Sequence, residues 1–505
     1  MKKYYIGLIL LFTLLDSYAQ EIQDNELDKL SLRYAKSSFD EFINLLSLPN
    51  DAHFPNDIKK NIQWCESAFA NRGFITKKLT TGGIPLILAN KNYKNAKKTV
   101  LVYLQVDGQP VDTTKWFQEN PYKATLKELD AAKKWNTIPI TKLEGDINPD
   151  WRIFARSASD AKGPVMMFLK AMDIINDFKQ EPNYNIKVIL DFEEEISSPR
   201  LPKAVIDYKE ELASDMLVIF DGPRHISNQP TLTYGARGIT RLSLEVFGPR
   251  APQHSGHYGN YVPNPALKLS QLLASMMQDD GRVAIPGWYD GIEISPEIKK
   301  ILREVPDDEK TIRNKLGIAS IDNIAETYQE SIQYPSLGIL GLRSGWTGNE
   351  TRTIIPSSAI AEMNIRLVKE TSAQRMVDLV KQHIIKEGYH IVDSLPTEKE
   401  RMEYPKIVRF NYNIAYDAFR TDFDTEIGRW LRKAMNRAFG SAPVQIRTGG
   451  GSIPISPFVN TLNIPAVIVP TVNKDNNQHS PNENIRLGNY IDGIKTVTAI
   501  LTQEL

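Results

Sequence analysis

The chain has a single cysteine and no excess charge of either sign. Its 505 residues contain 61 Lys and Arg against 61 Asp and Glu, so the formal net charge is zero. One cysteine, Cys65, cannot form an internal disulfide and cannot supply a thiolate zinc cluster. Without a basic excess, the composition argues against a nucleic acid or an acidic membrane surface as partner. A bound metal would therefore have to be held by histidine and carboxylate side chains.

The sequence also lacks the composition of fibrous and disordered chains. Hydrophobic residues make up 41% and charged residues 24%, which are the proportions of a folded soluble protein. Collagen-like, coiled-coil and disordered classes are thereby excluded. At about 150 residues per domain the length suggests two to four domains, and the sequence has no internal repeat.

Long apolar runs are few, and the longest lies at the start of the chain. Lys2 and Lys3 precede apolar residues 4–15, and a small residue, Ala19, ends the segment. This order is typical of a signal peptide, and the run is too short to span a bilayer of about 30 Å as a helix. We expect residues 1–19 to be removed, leaving a periplasmic or secreted protein with no membrane span. An uncleaved anchor is the alternative.

Four shorter apolar runs are rich in β-branched residues and indicate buried strands. They lie at residues 99–104, 186–192, 216–220 and 465–469. Nearly continuous runs of this kind are typical of central strands that helices cover on both faces. Helical spacing over residues 27–46, and a helix that begins with Gly163 and Pro164, supply such helices. The pattern predicts an α/β sheet domain.

The middle of the chain has a different pattern. Residues 240–247 and 361–367 alternate between apolar and polar, as half-buried strands do, and helical spacing appears at 266–277 and 374–385. Two strand–helix–strand units of this kind resemble a split βαβ, ferredoxin-like α+β domain inserted into the larger one. The predicted division is a sheet domain at 20–236, an inserted domain at 237–410 and the rest of the sheet domain at 411–505.

Polar side chains follow the predicted strands at the points where the strands end. Open α/β sheets bind ligands at the carboxyl ends of their strands, so these side chains should meet at one edge. They are Gln105, Asp107, Asp160, Glu194, Glu195, Asp221 and His479. Because so many carboxylates would repel one another strongly, we predict a divalent metal, zinc in view of the histidine, with Mn or Co as alternatives.

Each of these residues also has a simpler interpretation. Asp160 precedes a helix and could be its N-cap, and Asp221 could start a turn with Gly222 and Pro223. A run of three glutamates is usually a solvated surface, and we accept that interpretation for Glu193. The metal hypothesis therefore rests on the combination of residues and not on any one of them.

Eight short motifs follow one another over nearly the whole mature chain. They are Val106-Asp107-Gly108-Gln109-Pro110, Ser157-Ala158-Ser159-Asp160-Ala161-Lys162-Gly163-Pro164, Glu194-Glu195, Asp221, Gly235-Ala236-Arg237-Gly238, His254-Ser255-Gly256-His257-Tyr258-Gly259, Gly450-Gly451-Ser452-Ile453-Pro454 and Gln478-His479-Ser480. Together they resemble the carnosinase/acetylornithine deacetylase group of zinc metallopeptidases, metallopeptidase family twenty. The resemblance implies a zinc-peptidase mixed sheet covered by helices, with an inserted lid that also makes the contact of a homodimer.

The resemblance also implies roles at the metal centre. Asp160 would bridge two metal ions, Glu195 and His479 would complete the ligands of one, and Asp221 would bind the other. Glu194 would be the general base that takes a proton from the attacking water.

Further roles are implied for residues that contact substrate. His254 would be lent to the active site of the partner subunit, where it would stabilise the oxyanion. Arg366 would hold the carboxylate of the substrate in a bidentate contact. Thr353, Gly451 and Ser452 would make further substrate contacts. A surface arginine and a turn are the simpler interpretation of these residues.

Two positions depart from the family pattern. The family has a metal-binding histidine where this sequence has Gln105, with Asp107 orienting that ligand. A glutamine amide oxygen is a poor substitute for imidazole at zinc, so the site shared by Gln105, Asp160 and Asp221 should be weakened. The acidic neighbour expected after Asp160 is replaced by Ala161.

Three functions remain open at this point. The first is a metal-dependent exopeptidase or dipeptidase that cleaves a peptide bond near a free terminus. The second is an N-acyl amino acid deacylase that uses the same centre. The third is a member that has lost one metal through Gln105 and binds ligands without turning them over. The retained carboxylates and histidine favour catalysis.

Overall fold

Helices and strands alternate through the part of the chain that the computed structural model describes, residues 22–451 and 453–505. The predicted signal peptide at residues 1–19 and the predicted contact residue Ser452 lie outside the described residues. The helices are α1 Leu27–Leu46, α2 Pro55–Ala70, α3 Lys162–Asp177, α4 Leu201–Asp207, α5 Lys209–Leu212, α6 Ser255–Tyr258, α7 Pro265–Ser275, α8 Pro296–Glu304, α9 Glu309–Leu316, α10 Tyr328–Ser331, α11 Ala373–Lys386, α12 Glu398–Glu403, α13 Glu426–Phe439, α14 Ser456–Leu462 and α15 Leu487–Leu501. The strands are β1 Ile75–Leu79, β2 Leu86–Lys91, β3 Thr99–Gln105, β4 Thr125–Leu129, β5 Trp135–Thr137, β6 Arg152–Phe154, β7 Asn185–Asp191, β8 Met216–Ile219, β9 Thr231–Thr233, β10 Gly235–Ala236, β11 Gly238–Phe247, β12 Gln253–His254, β13 Ser336–Ser344, β14 Ile354–Ile355, β15 Ser358–Leu367, β16 His390–Val392, β17 Ile407–Tyr416, β18 Phe419–Arg420, β19 Val444–Ile446, β20 Ala466–Ile468 and β21 Asn484–Arg486.

An eight-stranded mixed sheet, which we call the main sheet, carries the core of the larger domain. Its strand order is β1-β2-β7-β3-β8-β20-β9-β19. The four apolar runs predicted as buried strands form β3, β7, β8 and β20, which confirms that prediction. These four strands lie side by side and run parallel, so their carboxyl ends share one edge of the main sheet.

Helices cover both faces of the main sheet. On one face α3 packs against α1 and α15 and is buried along almost its whole length. Pro164 lies in its first turn, where a missing amide hydrogen breaks no helical hydrogen bond. Helix α1 occupies the range predicted as a helix and buries residues three and four apart, such as Leu27, Leu30 and Tyr34. Helices α4 and α14 contribute to the apolar cluster on the other face.

The predicted inserted domain contains a five-stranded sheet, which we call the lid sheet. Its order is β13-β15-β11-β17-β16, and all its neighbouring strands are antiparallel except β16 and β17. Helices α7 and α11 pack on it through an apolar cluster of their own. The predicted fold class, a helix-covered mixed sheet with an inserted α+β domain, is confirmed. Strand β17 continues to Tyr416, so the predicted boundary at residue 410 lies inside this strand.

The polar segment between α7 and β13 contains three short helices that the pattern of apolar residues did not indicate. Each begins at a residue whose side chain accepts a hydrogen bond from a backbone amide of the first turn. Ser295 caps α8, Asp308 caps α9 and Thr327 caps α10. Among the described residues, no helix is both long and apolar enough to cross a membrane.

The larger domain also contains a small four-stranded sheet with the strand order β21-β6-β4-β5. Its strands β6 and β21 pair antiparallel, with Phe154 opposite Asn484. The chain leaves β6 into the loop that carries Asp160, and it enters β21 from the loop that carries His479. The pairing therefore brings two loops together that are more than 300 residues apart in the sequence.

Candidate metal centre

Three of the predicted metal ligands converge at one point. The potential ligand atoms of Asp160, Glu195 and His479 all lie within 4.8 Å of one another. His479 Nε2 is 3.0 Å from Asp160 Oδ2 and 3.2 Å from Glu195 Oε2. Within residues 22–451 and 453–505, this is the one group of three or more His, Cys, Asp or Glu that is close enough to hold a metal ion. We call it the three-ligand group.

The buried carboxylate of Glu483 holds the loop of Asp160 in place. Its oxygens accept hydrogen bonds from the backbone amides of Ser157, Ser159 and Asp160, at 2.9, 3.1 and 2.9 Å. Arg156 Nη1 donates to the same carboxylate at 2.8 Å, and both side chains are almost fully buried. Glu483 thus orders the loop that presents Asp160, although no role is predicted for it from the sequence.

The loop of His479 is stabilised by asparagines and by left-handed backbone. Asn477, His479 and Asn482 have φ angles of 56°, 60° and 64°. Asparagine adopts this conformation more readily than most residues with a side chain, which explains its frequency here. Asn484 donates from its side chain to the backbone oxygens of residues 476 and 482, at 3.2 and 3.0 Å. The turn places the imidazole of His479 over the two carboxylates.

Asp107 is fully buried and positions the glutamates that follow β7. Its carboxylate accepts hydrogen bonds from the backbone amides of Glu194 and Glu195, at 3.1 and 3.0 Å. The resemblance implied that Asp107 orients a ligand at position 105. In the structure it orients the glutamate turn, and burial raises its pKa well above the usual range. Gln109 Nε2 donates to Glu195 Oε2 at 2.7 Å, a contact that the sequence did not indicate.

Glu193 does not lie on a solvated surface, so the interpretation accepted for it from the sequence is wrong. Its side chain is buried and forms an ion pair with Arg200. The pair anchors the turn after β7. Neighbouring Asp191 is also buried and accepts hydrogen bonds from Tyr103 and Ser198.

Crowding of carboxylates gives the edge of the main sheet a strongly negative potential. Burial and the charge of Asp160 raise the pKa of Glu195 to about 8 and that of Asp221 to about 7. Burial, followed by the charges of Asp221 and Glu195, raises the pKa of Glu194 well above its usual range. These shifts have one physical cause, which is that several negative charges cannot be held together in a poorly solvated place.

The imidazole of His479 responds in the opposite way. Its hydrogen bond with Asp160 and the negative charges of Glu195 and Asp160 raise its pKa to about 9, although burial opposes the shift. In the metal-free protein, a protonated His479 thus offsets part of the negative charge of Asp160 and Glu195. A divalent ion fits the three-ligand group because the two carboxylates attract positive charge and the imidazole, once it loses its proton, offers a nitrogen ligand.

Three further predicted residues lie at this edge outside the three-ligand group. Asp221 follows β8, is partly buried and interacts electrostatically with Asp160 and His479. Gln105 ends β3, and its amide nitrogen donates to Asp160 Oδ1 at 2.6 Å. Glu194 lies beside Glu195 and interacts with the carboxylates of Asp221 and Asp160.

Two predicted contact residues of the lid, His254 and Thr353, are exposed and lie close to each other. His254 lies in β12, opposite Ile354 of β14, and the amide of Ser255 donates to the backbone oxygen of Thr353 at 2.9 Å. The rings of His254 and His257 stack at 4.4 Å between centroids. The described contacts of His254 are thus made within the lid.

Arg366 and Gly451 lie where the lid joins the larger domain. Arg366 is in β15, between Ile239 of β11 and Ser336 of β13. The backbone amide of Arg237, just before β11, donates to the oxygen of Gly451 at 3.3 Å. The charge of Arg366 lowers the pKa of the buried Arg237 guanidinium, after burial itself, so the two cations lie near each other.

The fold and the centre together define a class of protein. A helix-covered mixed sheet that gathers carboxylates and a histidine at the carboxyl ends of parallel strands, with a separate α+β lid, is the architecture of a two-domain metallohydrolase.

Comparison with known proteins identifies the family. The sequence profile described as Peptidase family M20/M25/M40 matches residues 106–503, which is more than half of the chain. The protein belongs to this family, as the resemblance predicted, and is a hydrolase that acts on peptide bonds with the help of a divalent metal.

Individual relatives agree with this assignment. The chain is 27% identical over 417 residues to the Cys-Gly metallodipeptidase dug1 of Schizosaccharomyces pombe, covering 81% of each chain. It is 27% identical over 425 residues to the Beta-Ala-His dipeptidase of Homo sapiens, covering 83% of this chain and 77% of that protein. The crystal structure of the M20 family metallo-carboxypeptidase Sso-CP2 from Sulfolobus solfataricus is similar with a TM-score of 0.74 at 25% identity, covering 92% of this chain and 98% of that one.

Proposed function

We propose that the protein is a zinc-dependent dipeptidase that cleaves the peptide bond next to a free carboxylate. The observation that carries this proposal is the three-ligand group of Asp160, Glu195 and His479 with Glu194 directly beside it. One imidazole and two carboxylates are a donor set that zinc accepts, and catalytic zinc sites commonly have three protein ligands. These three residues would hold the ion.

The bound ion and Glu194 would have separate roles in the hydrolysis of the peptide bond. A divalent ion, when bound, polarises the scissile carbonyl and lowers the pKa of the attacking water. Glu194 accepts the proton of that water and returns it to the leaving amine, as a general base and then a general acid. Its position is set by Asp107, which holds the backbone amide of Glu194.

Arg366 and His254 are proposed to act on the substrate. Arg366 binds the carboxylate of the leaving amino acid, and the neighbouring Arg237 adds positive charge there. His254 stabilises the oxyanion of the tetrahedral intermediate. Because His254 is exposed on the lid, we propose that it acts in the active site of the partner subunit of a homodimer. Thr353, Gly451 and Ser452 are proposed to line the same site.

A dipeptide is the substrate that the relatives support best. The two curated relatives described above are named for the dipeptides Cys-Gly and β-Ala-His. An acyl amino acid offers the same amide and carboxylate to the centre, but neither relative is named for that reaction. We also propose that residues 1–19 direct export to the periplasm or the medium, which N-terminal sequencing of the mature protein would test.

The decisive experiment is a substrate panel with a variant of the general base. Dipeptides and N-acyl amino acids are offered to the zinc-loaded protein and to Glu194→Ala, and zinc per chain is measured in both. We expect dipeptide hydrolysis to fall about 10²- to 10⁴-fold in the variant, which is the contribution of a general base, with zinc content nearly unchanged. Glu210→Ala, an exposed glutamate of α5, is the matched control and should retain activity.

Two results would contradict the proposal. Hydrolysis that survives Glu194→Ala would remove this residue from the mechanism. Cleavage of acyl amino acids without cleavage of any dipeptide would replace the dipeptidase by a deacylase.

A further inference from the structure

The two oxygens of the Asp160 carboxylate have different partners. Oδ2 lies 3.0 Å from His479 Nε2, inside the three-ligand group. Oδ1 accepts a hydrogen bond from Gln105 Nε2 at 2.6 Å. One side of this carboxylate thus faces an imidazole that binds a proton or a metal, and the other side faces a neutral amide.

The amide of Gln105 is held in this orientation by charge. Gln105 is almost fully buried at the end of β3, and its Oε1 has no hydrogen-bond partner. Reversing the amide would place Oε1 against Asp160 Oδ1, and two oxygens at that distance would repel each other. The carboxylate therefore selects the nitrogen, even though the oxygen of the amide is left unsatisfied.

The backbone does not allow Gln105 to move aside easily. It is paired with Asp191 of β7 in the parallel register of the main sheet, and the next amide, that of Val106, donates to the oxygen of Asp191 at 2.9 Å. Asp160 is equally fixed, because Glu483 accepts its backbone hydrogen bond. The contact between Gln105 and Asp160 thus joins the end of β3 to the loop that Glu483 holds.

The residues on the other side of Asp160 are poor ligands for a second zinc ion. Among the described residues, Asp221 is not part of any group of three metal-ligating His, Cys, Asp or Glu side chains. A second ion bound to Asp160 Oδ1 would have to displace an amide nitrogen. It would then find only oxygen donors in Gln105, Asp160 and Asp221, without an imidazole. The donor set on this side does not fit the second zinc ion that the family resemblance implies.

We propose that this protein holds a single divalent ion in the three-ligand group, and that the carboxamide of Gln105 takes the place of a second ion by binding Asp160 Oδ1. The proposal rests on the proposed function for the first ion. It assigns Gln105 as a positioning residue, which keeps the carboxylate of Asp160 aimed at that ion. Asp221 is then free of metal in the working protein.

The test is the number of ions per chain, measured without reference to activity. The full chain, freed of any affinity tag, is dialysed against zinc and analysed by inductively coupled plasma mass spectrometry. Cobalt titration of the metal-free protein, followed by visible absorbance, gives a second count. We expect one ion per chain by both methods, and a break in the cobalt titration at one equivalent.

Three variants separate one ion from two. Asp221→Asn should leave the count at one, whereas in a centre with two ions it should fall from two to one. His479→Ala should bring the count from one to nearly zero. Gln105→His should raise it to two, because an imidazole replaces the amide beside Asp160 and Asp221. Gln63→His, on the exposed face of α2, controls for the mere addition of a histidine and should leave the count at one.

The outcomes also separate this inference from the proposed function. Two ions per chain in the natural protein would overturn the single-ion proposal and leave the dipeptidase intact. No ion in the natural protein would overturn both. If Gln105→His does not fold, the count in the natural protein and the response to Asp221→Asn still decide the question.

Discussion

The edge of the main sheet and the lid present their functional side chains in different ways. At the sheet edge, Asp160, Glu195 and His479 come from three separate loops, yet they lie within 4.8 Å of one another. The lid instead carries His254 and Thr353 on its exposed surface, next to each other through the pairing of β12 and β14.

The difference lies in the contacts that hold each set of side chains in place. The sheet edge is assembled by buried contacts, such as those of Glu483 and Asp107, whose loss would leave charges or amides without partners. The described contacts of His254 and Thr353 are instead made within the lid. The exposure of His254 supports the proposal that it acts in the active site of a second subunit.

The largest effect is expected when the buried support of the sheet edge is removed. In Glu483→Gln, the amide nitrogen would face either Arg156 and the backbone amide of Ser157 or the backbone amides of Ser159 and Asp160, which are all donors. Breaking a buried ion pair costs about 3–5 kcal/mol, so the free energy of unfolding in urea should fall by about this amount. Metal affinity should also fall, about 10- to 100-fold, because Asp160 loses its support.

A matched change in the lid is the control for this prediction. Glu326 forms an exposed ion pair with Arg303, and exposed pairs contribute little to stability. Glu326→Gln should therefore leave both the unfolding curve and the metal affinity close to those of the natural protein. If Glu483→Gln and Glu326→Gln lowered stability and metal affinity equally, the buried contacts of the sheet edge would not be what supports the metal centre.

An intermediate effect is expected from His254→Ala. The loss of one oxyanion donor lowers kcat by about 10²- to 10³-fold, and zinc content should not change because His254 is not part of the three-ligand group. Steady-state kinetics on a dipeptide and metal analysis check both statements.

Mixing two inactive variants shows which subunit supplies His254. A dimer of one Glu194→Ala and one His254→Ala chain contains one complete site if His254 acts across the dimer. After dissociation and reassociation, such a mixture should regain about one quarter of natural activity. If the mixture stays inactive while mixed dimers are detected, His254 acts within its own chain.

The smallest effect concerns the pH dependence of stability without metal. Folding raises the pKa of Glu195 to about 8 and that of His479 to about 9, against about 4.3 and 6.5 in an unfolded chain. The folded state therefore binds these protons more tightly, and the associated stability is present at low pH and lost as the pH rises through 8 and 9.

Zinc should replace this lost stability. The rise in melting temperature on adding zinc is expected to be larger at pH 8.5 than at pH 6, by a few degrees. Glu195→Gln should flatten the dependence, and His254→Ala on the lid should not change it. A zinc-induced shift that is the same at both pH values would contradict the electrostatic account of the sheet edge.

Much of the metal centre could be predicted because its residues follow buried strands that can be recognised from a short stretch of sequence. A buried strand has a continuous apolar run, and the residue that follows it must lie at the sheet edge, so Glu195 and Asp221 were assigned from the ends of β7 and β8. Asp160 and His479 do not follow a buried strand directly, and the motifs around them indicated their roles. The contacts of Glu483 and Gln109 were not predicted, because a carboxylate or an amide in a loop has no local pattern that reveals its partner.

Glu193 shows the limit of local reasoning most clearly. Three consecutive glutamates look solvated, yet the turn after β7 buries the side chain of Glu193, which pairs with the partly exposed Arg200. The same turn brings Glu194 and Glu195 to the centre. The signal that could have been used for Glu483 is its position four residues after His479, directly before β21. A charge just before a buried strand needs a partner.

Composition and pattern were therefore enough to exclude a thiolate metal site, to separate a helix-covered sheet from an inserted domain, and to name the acidic side chains that follow the strands. The apposition of loops more than 300 residues apart, the buried role of Glu483 and the amide of Gln105 on Asp160 Oδ1 arose only in the folded chain. The physical reason is that residue type and spacing determine local conformation, whereas the partner of a buried polar group depends on which distant segments pack around it.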